Sequence, residues 1–150
     1  MGDKHVLTIP GRYEELERVC AFVSNGAAQV GIPESDRFHV ELACDEACTN
    51  IIEHAYGGDG IGDIVIRWRV DGNDFIVTLH DNGRSFNPNN VPKPTIPPKS
   101  NTAQSKDEMI SSLKAGGLGI HFMRKLMDDV QYHFDPKSGN TLTLIKKIKS

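Results

Sequence analysis

The hydrophobic positions follow a helical period in the first third of the chain. Apolar residues recur every three or four positions from Tyr13 to Val30, which predicts an amphipathic helix ending near Gly31. A second run with this period extends from Phe38 to Tyr56, after helix-start residues at 33–36. Consecutive glycines are costly in helices and easy in turns, so the segment 57–60 is expected to end this long second helix.

The pattern changes to alternation in the segments that predict strands. Two alternating runs are separated by the turn Asp71-Gly72-Asn73-Asp74, which predicts a hairpin that ends at Asp81-Asn82-Gly83. A third helical run follows Gly119 and leads into two more alternating segments. The first strand is expected at a sheet edge. The predicted strands are 5–9, 63–70, 75–79, 130–134 and 141–148.

A proline-rich stretch interrupts the pattern between the hairpin and the third helix. Five of the eight prolines lie between Pro88 and Pro98, and a polar run, Lys99–Glu108, follows them. No regular element is expected in such a stretch, and a long loop inside a small domain is usually functional or disordered. We therefore predict a mobile lid over a ligand at about 88–116.

The order of these elements predicts an α+β fold. Two early helices, a hairpin, one crossover helix and two final strands fit a two-layer α/β sandwich. In this sandwich, a mixed, mostly antiparallel sheet is covered on one face by about three helices. A chain of 150 residues has the length of one domain with a real hydrophobic core.

Composition narrows the function classes. Hydrophobic residues make up 38% of the chain, and no apolar run approaches the roughly 20 residues that cross a bilayer, so no membrane partner is expected. The formal net charge is −3 and the basic residues are scattered, which argues against direct binding of nucleic acid. Cys20, Cys44 and Cys48 lie in apolar-periodic segments, which favours core thiols and a cytoplasmic location.

Candidate chemistry begins on the second helix. Glu46 and Asn50 are four residues apart, so they share a helix face about 6 Å apart along the axis, and His54 follows one turn later. A glutamate and an asparagine at this spacing usually lie on the solvent-exposed face of a helix. Here, however, the surrounding run 43–52 is mostly small and apolar, whereas an exposed face would carry more lysine and glutamate.

Two glycine-containing turns complete the candidate site. Asp81-Asn82-Gly83 ends a strand, and Gly116-Gly117-Leu118-Gly119 leads into a helix whose start offers N–H groups for phosphate. The second turn is neither a Walker P-loop nor a Rossmann fingerprint. Each feature alone is ordinary, but their order along the chain is specific.

At these residues the chain resembles the ATPase superfamily that contains gyrase, histidine kinases and heat-shock chaperones. Glu46-x-x-x-Asn50 with His54-Ala55-Tyr56 resembles the N-box, 81–86 the first glycine box, and 117–120 the second. The tract 116–130 is most similar to bacterial anti-sigma factor serine/threonine kinases. The resemblance spans nearly the whole chain and implies one Bergerat-fold, histidine-kinase-like ATPase domain at 1–150.

The resemblance also implies a role for each matching residue. Asp81 would accept a hydrogen bond from the adenine amino group with help from Thr143, Asn50 would hold Mg²⁺, and Glu46 would be the catalytic base. No role is implied for His54 or Arg84. The residues expected to contact ATP are Asn50, Asp81, Gly83, Gly116, Gly117, Leu118, Gly119, Ile120 and Thr143.

The function implied by the resemblance is an ATP-dependent protein serine kinase and anti-sigma factor. Such a protein phosphorylates a small anti-sigma antagonist, sequesters an RNA polymerase sigma factor and forms a homodimer. The alternative is a non-catalytic nucleotide-binding regulatory module that sequesters a protein partner. A third reading, an ATP-hydrolysing fragment of a gyrase-like enzyme, is disfavoured because no transducer domain is present. The carboxylate of Glu46 favours the kinase, since a pure binding module has no need of a base beside the metal ligand.

Overall fold

The chain folds into a layer of helices on one face of a five-stranded sheet. This computed structural model describes residues 5–84 and 119–148, with side chains for all of these except 119–122. A 3₁₀ turn, Tyr13–Glu15, precedes the first helix, and a π-helical turn, Ile51–Ala55, continues the second. The α-helices are α1, Leu16–Gln29, α2, Glu34–Asn50, and α3, Gly119–Leu126.

The sheet has the order β1-β2-β3-β5-β4, and all four strand pairings are antiparallel. This arrangement confirms the α+β class and the expected position of β1 at a sheet edge. It also shows that the described strands form an antiparallel rather than a mixed sheet. The strands are β1, Val6–Pro10, β2, Asp63–Asp71, β3, Asp74–Asp81, β4, Asp129–Asp135, and β5, Gly139–Lys147.

The hydrophobic core lies between the helices and one face of the sheet. Every second residue of the central strands is buried there, for example Phe75, Val77 and Leu79 of β3. Cys44 and Cys48 are fully buried within this core, and none of the three cysteines forms a disulfide. Burial raises the pKa of both core thiols well above the ordinary value, which fits the expected structural role. Within 5–84 and 119–148, no helix is long and apolar enough to span a bilayer.

Helix α1 packs on the sheet through a glycine. A Cβ atom on Gly26 would lie 2.4 Å from the indole of Trp68. Trp68 cannot easily yield, because it is 5% exposed, stacks on His5 with ring centroids 3.6 Å apart, and lies beside Phe75. The absence of a side chain at position 26 therefore sets the distance between helix and sheet.

We expect Gly26→Ala to lower the free energy of unfolding by about 1–2 kcal/mol. The clash with Trp68 outweighs the gain of up to about 1 kcal/mol in helix propensity. Urea unfolding checks this result, with Asn25→Ala on the exposed side of the same turn as the control. A Gly26→Ala protein more stable than the unaltered chain would contradict the packing argument.

The long second helix is not α-helical to its end. Tyr56 N–H donates to Ile51 O, five residues earlier, at 2.9 Å, so the last turn is widened. The carbonyls of His54 and Ala55 accept instead from Arg84, at 2.7 Å and 3.0 Å. Gly57 ends the helix with a φ of 75°. The π-helical turn thus ties the second helix to the end of β3.

Candidate functional site

The predicted site residues of α2 and β3 meet in the structure. The C-terminal end of α2 faces the ends of β3 and β5, where Asn50, Asp81 and Asn140 line one pocket, and Glu46 is buried one helical turn before Asn50. Each is between 2% and 4% exposed: Glu46, Asn50, Asp81 and Asn140. Buried polar groups are costly unless they are paired or functional, so this cluster requires an explanation.

Glu46 is the least satisfied of these four buried side chains. Its Oε2 atom is buried and has no hydrogen-bond partner among the described residues. Burial is the main cause that raises the pKa of Glu46 to about 8, and the negative charges of Asp45 and Glu53 add to the effect. A carboxyl group with a pKa near neutrality and an unpaired oxygen is suited to proton transfer.

Asp81 is held firmly by one oxygen of its carboxylate. Its Oδ1 atom accepts from Gly83 N–H at 2.8 Å and from Asn140 Nδ2 at 2.9 Å. Burial raises the pKa of Asp81, while the bonds from Asn140 and Gly83 and the nearby His80 lower it and partly offset the burial. Both described bonds fall on Oδ1, so Oδ2 remains for a donor from a ligand.

The turn after Asp81 is clamped against the end of the second helix. A Cβ on Gly83 would lie 2.6 Å from Ala55 O, so only glycine permits this approach. The Tyr56 hydroxyl accepts from Asn82 N–H at 3.1 Å and donates to Asp63 O. These contacts give His54, Tyr56 and Arg84 a structural role, in which they fix the turn relative to α2.

Thr143 does not take part in the site. It pairs with Thr78 on the sheet face opposite to the Asp81 carboxylate, so the expectation that it assists Asp81 is wrong. The side chain beside Asp81 is Asn140, which the sequence analysis did not select. The alternation of β5 carries the signal, because Asn140 shares its face with the buried residues Leu142 and Leu144.

A pocket with mostly apolar walls opens between α2, β3, β4 and β5. A few fixed polar groups at one end of an apolar pocket are what a purine base requires. A wider cleft between α1 and α2 is lined by the acidic residues Glu17, Glu41, Asp45 and Glu53, but it contains none of the buried cluster. We assign the ligand site to the narrower pocket, because the buried and hydrogen-bonded Asp81 and Asn140 side chains lie there. Its lining residues are Ala47, Asn50, Ile51, Asp81, Tyr132, Asn140 and Leu142.

The second glycine box is only partly within the described residues. Gly116, Gly117 and Leu118, and the lid expected at about 88–116, lie outside them. Gly119 and Ile120 form the first turn of α3, in agreement with a glycine-rich helix start, and α3 packs against α2. Their contact with phosphate stays a prediction.

Comparison with known proteins identifies the family of this chain. The profile of the histidine kinase-like ATPase domain family matches residues 9–146. A Serine-protein kinase RsbW from Bacillus licheniformis is 30% identical over 137 residues, which cover 91% of this chain and 81% of the relative. The protein of the same name from Bacillus anthracis is 30% identical over 147 residues, 98% of this chain and 86% of the relative. The resemblance inferred from the motifs is thereby confirmed.

A solved structure supports the fold alone. The histidine kinase domain from the Erythrobacter litoralis EL346 blue-light activated histidine kinase superposes with a TM-score of 0.54 at 17% identity. The match covers 93% of this chain and 62% of the solved chain.

Proposed function

This chain belongs to the histidine kinase-like ATPase domain family, and from that premise we propose that it is an ATP-dependent protein serine kinase. The observation that carries the proposal is the buried, unpaired carboxyl of Glu46, one helical turn from Asn50. The name of its relatives, Serine-protein kinase RsbW, supports the same reaction. In this proposal, residues 1–150 form one ATPase domain with a lid at about 88–116.

In this proposal adenine binds against Asp81, and the phosphates extend along α2 toward Glu46. Asn50 would hold Mg²⁺, and the bound ion would neutralise charge on the phosphates. The buried amide of Asn50 and the unpaired Glu46 Oε2 atom lie one helical turn apart, and oxygen groups of this kind suit a cation that prefers oxygen ligands. Among the described residues there is no cluster of three His, Cys, Asp or Glu groups, so Asn50 would hold the ion together with the phosphates rather than within a complete protein site.

In the transfer step, Glu46 orients the incoming serine hydroxyl and accepts its proton. The serine oxygen bonds to the γ-phosphorus as the bond to the β-phosphate oxygen breaks, and ADP leaves. The proton ends on Glu46 Oε2 and later passes to solvent. Positioning of these groups supplies most of the catalysis, because phosphoryl transfer needs little covalent help from the protein.

The partners in this proposal follow from the motifs rather than from the geometry. A small anti-sigma antagonist protein carries the acceptor serine, an RNA polymerase sigma factor is sequestered, and a second copy of the chain forms a homodimer. Since a sigma factor acts in the cytoplasm, the proposal places the chain there. The similarity of the tract 116–130 to anti-sigma factor kinases supports these assignments, and the relatives' name, Serine-protein kinase RsbW, supports a serine as the acceptor.

The second candidate is a non-catalytic nucleotide-binding module that sequesters its partner. The raised pKa of Glu46 is the observation that favours it, because at pH 7 only about a tenth of such a carboxyl is ionised and able to accept a proton. The two candidates share the nucleotide pocket and differ only in transfer.

The first experiment is calorimetric titration with ATP and Mg²⁺, followed by incubation with γ-labelled ATP and small antagonist-like proteins from the same genome. Tight binding and label on a serine are the expected results. Binding without transfer would favour the sequestering module. An absence of ATP binding would overturn both candidates.

A further inference from the structure

Asn140 uses its whole amide group in hydrogen bonds. Its Nδ2 atom donates to Asp81 Oδ1 and to Arg84 O, both at 2.9 Å, and its Oδ1 atom accepts from the Tyr132 hydroxyl. Asn140 is 2% exposed, so water cannot easily replace any of these partners. Tyr132 is half-buried on β4 and lines the same pocket.

The direction in which this amide points is fixed by its partners. The carbonyl of Arg84 can only accept a hydrogen bond, so the NH₂ end of Asn140 must face it. The oxygen of the amide then faces Tyr132, whose hydroxyl must donate. Rotation of the amide by 180° would set two acceptors against each other at Arg84, and would also place an oxygen against Asp81.

We propose that Asn140 and Tyr132 are positioning residues that hold Asp81 as a pure hydrogen-bond acceptor and so select 6-amino purines over 6-oxo purines. The inference rests on the proposed function, since it requires a purine nucleotide in the pocket. An acceptor at Asp81 bonds to the amino group of adenine. The carbonyl of hypoxanthine or guanine at the same place is repelled, because acceptor would meet acceptor.

Asp81 requires these hydrogen bonds to remain an acceptor because it is buried. Burial raises the pKa of its carboxyl, and a protonated Asp81 would become a donor able to bond a 6-oxo purine. The N–H groups of Asn140 and Gly83 both favour the ionised form. Tyr132 does not contact Asp81 in this network; its hydroxyl donates to Asn140 Oδ1 and so fixes the amide that donates to Asp81.

The test compares the affinities for ADP and inosine diphosphate (IDP), which differ at position 6 of the purine. We expect the unaltered chain to prefer ADP, and Tyr132→Phe to lower the ratio of the two affinities by about tenfold, mainly through weaker ADP binding. Tyr13→Phe is the matched control, because it removes a phenolic hydroxyl bonded to Glu53, far from the pocket, and should leave the ratio unchanged.

A second variant tests the selection of 6-amino purines by replacing the Asn140 amide with a carboxyl group. Asn140→Asp places two carboxyl groups within hydrogen-bond distance, so the pair retains one proton, and when this proton is on Asp81 Oδ2 it is donated to a 6-oxo group. We expect the preference for ADP to fall by about a hundredfold, with IDP binding retained or improved. Thermal unfolding confirms that each variant is folded, and Tyr132→Phe retains the ring even if Asn140→Asp fails this check.

The outcomes separate this inference from the proposed function. An unchanged ratio in folded Tyr132→Phe, or equal losses for ADP and IDP, would overturn the selection by Asn140 and Tyr132 and leave ATP binding intact. If the unaltered chain binds neither nucleotide, the proposed function falls and this inference falls with it. If it binds both equally, nucleotide binding stands and the selection is overturned.

Discussion

Glu46→Gln is expected to reduce phosphoryl transfer to a protein serine by at least about a hundredfold, with little change in ATP affinity. Glutamine keeps the shape of the side chain but cannot accept the hydroxyl proton, and general-base catalysis contributes about 10²–10⁴-fold. The pocket that would bind adenine does not include Glu46, so binding should persist. Single-turnover transfer and calorimetry on the same preparation measure the two quantities.

The control for this variant is Glu41→Gln, a half-buried carboxylate on the same helix that lines the acidic cleft. It should transfer phosphate at the unaltered rate. Transfer by Glu46→Gln at that rate would remove Glu46 from the proposed role and leave the sequestering module as the better account.

The pH dependence gives an independent expectation for the unaltered chain. With a pKa of about 8 in the free protein, the ionised form of Glu46 increases about tenfold between pH 6 and pH 7, and kcat/KM should increase with it. The increase should level off above pH 8. A kcat/KM that is constant from pH 6 to pH 9 would contradict proton acceptance by Glu46.

The same pKa predicts how stability changes with pH. Because folding raises the pKa of Glu46, the folded state binds the proton more tightly, and stability declines as the pH rises from about 4.5 toward 8. Above pH 8 the folded chain therefore carries an unfavourable buried charge. Above pH 8 we expect Glu46→Gln to raise the free energy of unfolding by about 2 kcal/mol. Such a gain would show that the variant loses phosphoryl transfer without losing its fold.

The sequence predicts the convergence of Glu46, Asn50 and Asp81 because each depends on local geometry. A spacing of four puts the first two on one helix face, and a strand that ends at Asp-x-Gly places the third at a sheet end. The small, apolar surroundings of α2 correctly indicate that this face is buried. Periodicity therefore explains why Glu46 and Asn50 share a buried face, whereas the order of the motifs and the family resemblance select them as site residues.

Two other features could not be predicted from local pattern. The π-helical turn depends on bonds from Arg84, which is distant in sequence, and helical periodicity does not distinguish it from an α-helix. Thr143 and Asn140 are three positions apart on β5, so their side chains lie on opposite faces of the sheet. Only the face of Asn140 is shared with Asp81. The choice between them requires the register with β3, which long-range pairing decides.

Asp81→Asn is expected to lower ATP affinity by about a hundredfold and to reverse the preference between ATP and GTP. The amide oxygen of asparagine can still accept from Gly83 and Asn140, the two donors that hold Asp81 Oδ1. Its NH₂ group then replaces Oδ2 and presents a donor to the ligand. A donor at this position repels the adenine amino group and bonds to the 6-oxo group of guanine, so recognition is inverted rather than merely lost.

Calorimetric titration of both nucleotides measures this inversion, with Asp74→Asn at the other end of β3 as the control for loss of one carboxylate. Equal affinity of the unaltered chain for ATP and GTP would contradict the adenine contact at Asp81. A loss of both affinities in Asp81→Asn would instead show that the carboxylate holds the turn in place, because Gly83 and Asn140 both depend on it. The preference between nucleotides, rather than affinity alone, therefore distinguishes recognition by Asp81 from support of the fold.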